Sequence, residues 1–229
     1  MLIKFKIWGN LRFLSHAETL KVFERALVRQ AHQEPQRAGE QMVYSQGYNP
    51  RPKISLPLPR PVGVETDDDM LSLYINASPN GFNCAQFANI LAEQMPKGFE
   101  IISVRQTDKK SSAAAVEADY FFALKKNIIC DEQSRQQLRN SIEKLLAMDS
   151  IFVQRKIFKG KRGLDGAKIK QVDVRRYLRD IELGEKGILV SCIVSSEGAA
   201  RIDELMELLK LNKEDLEGPI RRTKVEWKY

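Results

Sequence analysis

Leu2-Ile3-Lys4-Phe5-Lys6-Ile7-Trp8 opens a chain of 229 residues with a strict exchange of apolar and polar side chains. Period-two alternation places one set of side chains on each face of a half-buried strand. After Gly9-Asn10, Ser15 can cap a helix that carries Leu20, Phe23, Leu27 and Val28 at helical spacing. A strand at about 53–58, a proline-rich bend and a second strand at 70–75 follow. Asn83 then starts a helix through Phe87, Ile90 and Leu91 that ends near Pro96-Lys97-Gly98, and Phe99-Glu100-Ile101-Ile102-Ser103-Val104 reads as a further strand. The order βαββαβ is that of a ferredoxin-like unit.

Lys109-Lys110-Ser111-Ser112-Ala113-Ala114-Ala115 lacks strand periodicity and reads as a linker or short helix. The pattern then restarts. Residues 118–125 read as a strand, 132–147 as a helix with Leu138, Ile142 and Leu145-Leu146 on one side, and 151–158 as a strand. A basic loop, a short turn at 175–179, a strand at 187–195, a helix at 201–211 and a last strand at 223–227 complete the chain. The sequence therefore predicts an α+β protein of two tandem ferredoxin-like units with antiparallel sheets, the second less regular. Residues 1–108 form the first unit, 109–117 the linker and 118–229 the second.

No run of about 18 apolar residues is present, and the start of the chain has no basic stretch leading into an apolar one, so the expectation is a cytoplasmic protein without a membrane span. Cys84, Cys130 and Cys192 are odd in number and far apart, which argues against a disulfide framework and a clustered metal site. The net charge of +7 is concentrated: residues 155–179 hold ten lysines and arginines against Asp165 and Asp173. A tract of this density favours a polyanion through phosphate contacts and counterion release. Glu65-Thr66-Asp67-Asp68-Asp69 offers adjacent carboxylates without further ligands at fixed spacing, and reads as a solvated hairpin turn. Walker, G-x-G-x-x-G, H-E-x-x-H, C-x-x-C and G-x-S-x-G patterns are all missing, which weighs against nucleotide hydrolysis, metal hydrolysis and dinucleotide redox chemistry.

Tyr44-Ser45-Gln46-Gly47-Tyr48-Asn49-Pro50-Arg51-Pro52-Lys53 is a stiff loop, since Gly47 permits a positive φ while Pro50 and Pro52 fix theirs and extend the residues before them. It displays Tyr44, Tyr48, Arg51 and Lys53, two π faces beside two cations, which suits RNA; packing of the tyrosines on the loop's own base is the plain alternative. In Arg12-Phe13-Leu14-Ser15-His16 the helix N-terminal amides, Arg12 and His16 can converge on a phosphate, whereas the simpler reading makes Ser15 a cap. His16 is also the one weak candidate for a general base. Lys159-Gly160-Lys161-Arg162-Gly163 resembles a flexible clamp on a phosphate backbone. Asp173 can orient Arg175 or Arg176 in an ion pair, and Arg221-Arg222 adds two cations before the last strand.

Arg12-Phe13-Leu14-Ser15-His16, the 44–55 segment, Leu58-Pro59 and Pro61-Val62-Gly63-Val64-Glu65 resemble the bacterial radical-SAM-linked domain of unknown function. The resemblance is close over residues 1–105 and looser beyond, where Val172-Asp173-Val174-Arg175 and Arg221-Arg222-Thr223 are similar to later motifs. It implies a companion of a radical SAM enzyme, with a further association to an RNase G/E-type protein. The C-x-x-x-C-x-x-C cluster motif is missing from this chain, so the resemblance implies the accessory part, with no cofactor of its own and no catalytic residues to carry over.

The expected function is thus that of an uncharacterised accessory protein that binds RNA, tRNA or rRNA, or presents it to a radical SAM enzyme for modification. Two other readings stay open. One is a metal-independent endoribonuclease on a tandem ferredoxin-like scaffold, with His16 as base and Arg51 or Lys53 stabilising the developing charge. The other is a protein-interaction adaptor that docks through the proline-rich stretch 50–61.

Overall fold

The computed structural model describes residues 1–33, 42–76, 83–107, 113–159 and 165–229. Strand β1, Leu2–Ile7, enters a 3-10 turn at Gly9–Phe13 and then helix α1, His16–Gln33. A two-residue strand β2, Ile54–Ser55, precedes the long β3, Glu65–Leu73, followed by α2, Cys84–Gln94, and β4, Phe99–Arg105. Next come β5, Ala114–Ala123, a helical turn α3, Lys126–Ile129, and α4, Glu132–Ala147. The strands β6, Phe152–Lys159, β7, Asp165–Asp173, β8, Leu178–Leu183, and β9, Gly187–Ile193, precede α5, Ile202–Leu208, and β10, Arg221–Lys228.

Two tandem ferredoxin-like units with antiparallel sheets are not what forms. The hydrogen-bonded order is β4-β1-β3-β10-β5-β9-β8 in one eight-stranded mixed sheet, with β2 on β3, and β6 and β7 pair apart in a sheet of two. β1 lies antiparallel to both β3 and β4, but β10 runs parallel to β3, with Arg221 opposite Glu65 and Arg222 opposite Thr66. The place beside β3 is therefore taken by the end of the chain. The compact units follow this pairing: one comprises Met1–Val116 with Ile220–Tyr229, the other Glu117–Pro219. Residues 114–117, read as linker, belong to β5, and the last strand returns to the first unit.

The first unit's core follows from the alternation of β1. Ile3, Phe5 and Ile7 are buried against Phe23, Ala26 and Leu27 of α1, Phe87 and Leu91 of α2, and Leu71 and Leu73 of β3. Phe5 meets the Phe23 ring edge-on with centroids 4.8 Å apart, and Phe99 completes the aromatic cluster 5.6 Å from Phe23. Leu2, Met70 and Ala113 pack with Trp227 in a smaller cluster. In the second unit β9 pairs antiparallel with β5 and β8, burying Tyr120, Phe122, Ile181, Ile188, Val190 and Cys192. Gly187 begins β9 at φ +154°, where a Cβ would stand 2.0 Å from the Phe122 carbonyl oxygen; no other residue fits.

The acidic run forms no solvated turn. Thr66, Asp68 and Asp69 are buried within β3, and each carboxylate has a distant cation. The fully buried Arg222 donates to Asp69 Oδ1 and, at 3.2 Å, to the carbonyl of Pro59. Lys4 Nζ stands 2.9 Å from Asp68, and Arg221 forks onto both oxygens of Asp67 at 3.0 and 2.8 Å. Thr66 donates its hydroxyl to Asp69 at 2.8 Å. A run of aspartates has poor strand propensity, and partners that far away in sequence are what let it enter the sheet.

Replacing Arg222 by Met leaves the Asp69 carboxylate buried without its cation. The expected loss is about 3–5 kcal/mol, seen as a lower urea midpoint at unchanged slope, and Arg222→Met with Asp69→Leu recovers most of it. A single variant within about 0.5 kcal/mol of the parent would show that the pair is dispensable.

Candidate nucleic-acid interface

The N-terminus of α1 is filled by its own side chains. The Ser15 hydroxyl accepts from the Glu18 amide at 3.3 Å, and Glu18 accepts from the Ser15 amide at 2.8 Å and its hydroxyl at 2.7 Å. These bonds hold the Glu18 carboxyl below its usual range. A carboxylate thus occupies the place offered to a phosphate. Arg12 donates to the Gly9 carbonyl at 2.7 Å and lies 4.3 Å from the exposed Phe13 ring. His16 opens the helix half-buried, and its Nδ1 is buried with no hydrogen-bond partner among the described residues. Arg60, which no sequence pattern marks, organises this corner: its guanidinium donates to the carbonyls of Arg12 at 2.6 Å, Val64 at 2.6 Å and Leu14 at 3.0 Å.

The stiff loop is braced across its base, where Lys53 donates to Val43 at 2.7 Å and Ser45 to Arg51 at 2.8 Å. The bracing separates its two tyrosines. Tyr44 packs on the core, and burial pushes its hydroxyl pKa up; Tyr48 stands at the tip, 100% exposed. Arg51 lies 3.5 Å from Glu24 with most of its side chain in solvent, and the Lys53 ammonium sits 4.8 Å from the Tyr74 ring. Of this loop, Tyr48, Arg51 and Lys53 are presented outward.

The basic tract divides into internal and external cations. Arg155 reaches the Ala199 carbonyl at 2.8 Å and forks onto Glu204 at 2.6 and 2.8 Å, and the hydrogen-bonded Glu204 carboxylate holds its guanidinium above the usual range. Arg175 donates to Leu146 at 3.0 Å and Met148 at 2.9 Å, at the C-terminal end of α4, and to Leu178 at 2.8 Å. Asp173 pairs with neither Arg175 nor Arg176 as a salt bridge; its Oδ1 accepts from the amides of Ile151 at 2.9 Å and Arg175 at 3.0 Å. Arg176 meets Glu197 at 2.8 Å and the Tyr177 hydroxyl at 2.8 Å, and Arg179 pairs with Glu117. Arg221 and Arg222 are the β3 clasp described above, so Arg222 meets no outside ligand.

What stays outward is the ribbon of β6 and β7. Its alternation buries Ile151 and Val172 and turns Phe152, Gln154 and Lys156 to solvent, with Gln171 opposite Gln154 and Ile169 opposite Lys156. Lys170 is exposed on the other face, opposite Arg155. Lys159 closes β6, and Lys161 and Arg162 lie outside the described residues. Phe152, Gln154, Ile169 and Gln171 were not singled out from sequence, although the spacing Phe152-x-Gln154-x-Lys156 carries the strand signal.

Among the described residues no three His, Cys, Asp or Glu side chains gather as a metal would require, and no helix is long and apolar enough to cross a membrane. Burial pushes the Cys192 thiol up to about 12, so it is protonated and inert at neutral pH. The model of a family described as an uncharacterized protein conserved in bacteria (DUF2344) matches residues 1–204. The chain belongs to this family. The match spans β1 to α5 and includes both the loop and the ribbon. No curated protein matches the chain.

Arg175→Ala removes two carbonyl partnerships at the end of α4 and a third with Leu178 at the start of β8. The expected cost is about 2 kcal/mol in urea unfolding, and Arg175→Lys, which lacks the fork, restores little of it. Full stability with lysine would show that charge alone suffices.

Proposed function

We propose that this chain is a non-catalytic RNA-binding accessory protein, which holds a tRNA or rRNA segment for a radical SAM enzyme that modifies it. The observation that carries the RNA reading is the sorting of cations. Arg155, Arg175 and Arg222 are engaged within the fold and Arg176, Arg179 and Arg221 in surface ion pairs, whereas Lys156 and Lys170 stand exposed on a two-stranded ribbon with no ion pair among the described residues. Exposed lysines on a ribbon contact phosphates as point charges and release counterions. In the first unit Tyr48, Arg51 and Lys53 add outward cations and an aromatic face. The radical SAM partnership rests on the motif resemblance of residues 12–16, 44–55 and 58–65.

Fluorescence anisotropy with bacterial tRNA and rRNA fragments tests the reading. Binding should weaken steeply between 50 and 200 mM salt, as about six or more phosphate contacts require. Lys156→Glu with Lys170→Glu should reduce the salt slope by about two and weaken binding at least about tenfold. RNA should be recovered intact in EDTA. Salt-insensitive or undetectable binding would overturn the proposal, and cleavage lost with His16→Ala would replace it with the endoribonuclease.

A further inference from the structure

We infer that the outer face of the β6–β7 ribbon is a stacking platform for unpaired RNA rather than a cradle for a duplex, an inference that rests on the RNA-binding reading. Phe152 is 60% exposed and Ile169 63%, although neither belongs on a solvated surface by its own hydration. Register places them on one face with Gln154, Gln171, Lys156 and Asp173, whose Oδ1 is already taken by the Ile151 and Arg175 amides, because directly opposed residues of an antiparallel pair point the same way. The opposite face carries Val153, the buried Val172 and Arg155, the last clasped by Glu204, with Lys170 exposed beside Arg155, so the ribbon is anchored through this face and the Phe152 face stays open.

Each exposed side chain has a matching group on an unpaired nucleotide. The Phe152 ring offers a π surface that only an unstacked base can cover, since the base faces of a duplex are already stacked. Gln154 and Gln171, opposed in register, present both donors and acceptors, which suit Watson–Crick edges left open in a single strand. Lys156 supplies the cation for the backbone, and Ile169 gives an apolar rest beside it. From Phe152 to Lys156 the strand advances about 13 Å, room for a few nucleotides. A purely electrostatic clamp on a duplex would require none of the ring, the amides or the isoleucine.

The full chain is titrated with a labelled single-stranded 12-mer RNA and with the same 12-mer annealed to its complement, at 150 mM salt. The single strand should bind at least about tenfold tighter than the duplex. Phe152→Ala should weaken single-strand binding about tenfold and leave the weak duplex binding unchanged, Phe152→Tyr should keep it, and Gln171→Ala should lower it while the melting temperature of every variant stays at the parent value. Equal or tighter duplex binding, or an unaltered affinity in Phe152→Ala, would overturn the platform while leaving RNA binding itself standing, and would point to a protein partner for the ribbon's apolar residues. Binding of neither RNA would bring down the RNA reading and the platform together.

Discussion

Arg222 carries a guanidinium to a place that water does not reach, and Asp69 is the carboxylate that meets it there. Neither charge is stable in that site alone: desolvation is costly for each ion, and each is offset chiefly by the other, with the Pro59 carbonyl and the Thr66 hydroxyl adding hydrogen bonds to the pair. The consequence is topological. The pair fastens β10 in parallel beside β3, and with Arg221 on Asp67 and the Val225 amide on Asp68 it makes the last strand part of the first unit. The second unit, Glu117–Pro219, is therefore an insertion between two segments of the first.

This constraint also reassigns the positive charge. A net charge of +7 invites a polyanion as partner, but charge counted along a sequence takes no account of which cations the fold has already engaged. Arg155 on Glu204, Arg175 on the end of α4 and Arg222 on Asp69 are structural members, each bound through the fork geometry that lysine lacks. Lys156 and Lys170, with no such fork, stand exposed. The division of labour between arginine inside and lysine outside follows from the hydration and shape of the two groups.

Local periodicity made much of the first unit and one helix of the second legible. The alternation of Leu2–Ile7, the Ser15 and Asn83 caps and the helix at Glu132–Ala147 all stand where their residues indicate. The failures are non-local. Asp67, Asp68 and Asp69 read as a turn because their cations, Arg221, Lys4 and Arg222, lie far away in sequence, and β8 reads as part of a turn because a bulge between Leu178 and Asp180 interrupts its alternation. β7 reads as a loop because Gly166 and the lysines weaken its strand signal, and only pairing with β6 makes it one. At the candidate site Tyr44 and Tyr48 look alike in sequence; the pairing across the loop base sends one to the core and one to the tip. Arg221 and Arg222 were separable, since neighbours on a strand face opposite ways.

The central claim is that outward cations and aromatics on the ribbon, not the arginines clasped inside the fold, hold RNA. Ultraviolet cross-linking of bound RNA to the full chain, followed by peptide mapping, tests it most directly. The account predicts adducts within residues 152–156 and 169–171, with none at Arg222 or Arg175. Adducts confined to other peptides, with the ribbon unmarked, would contradict it.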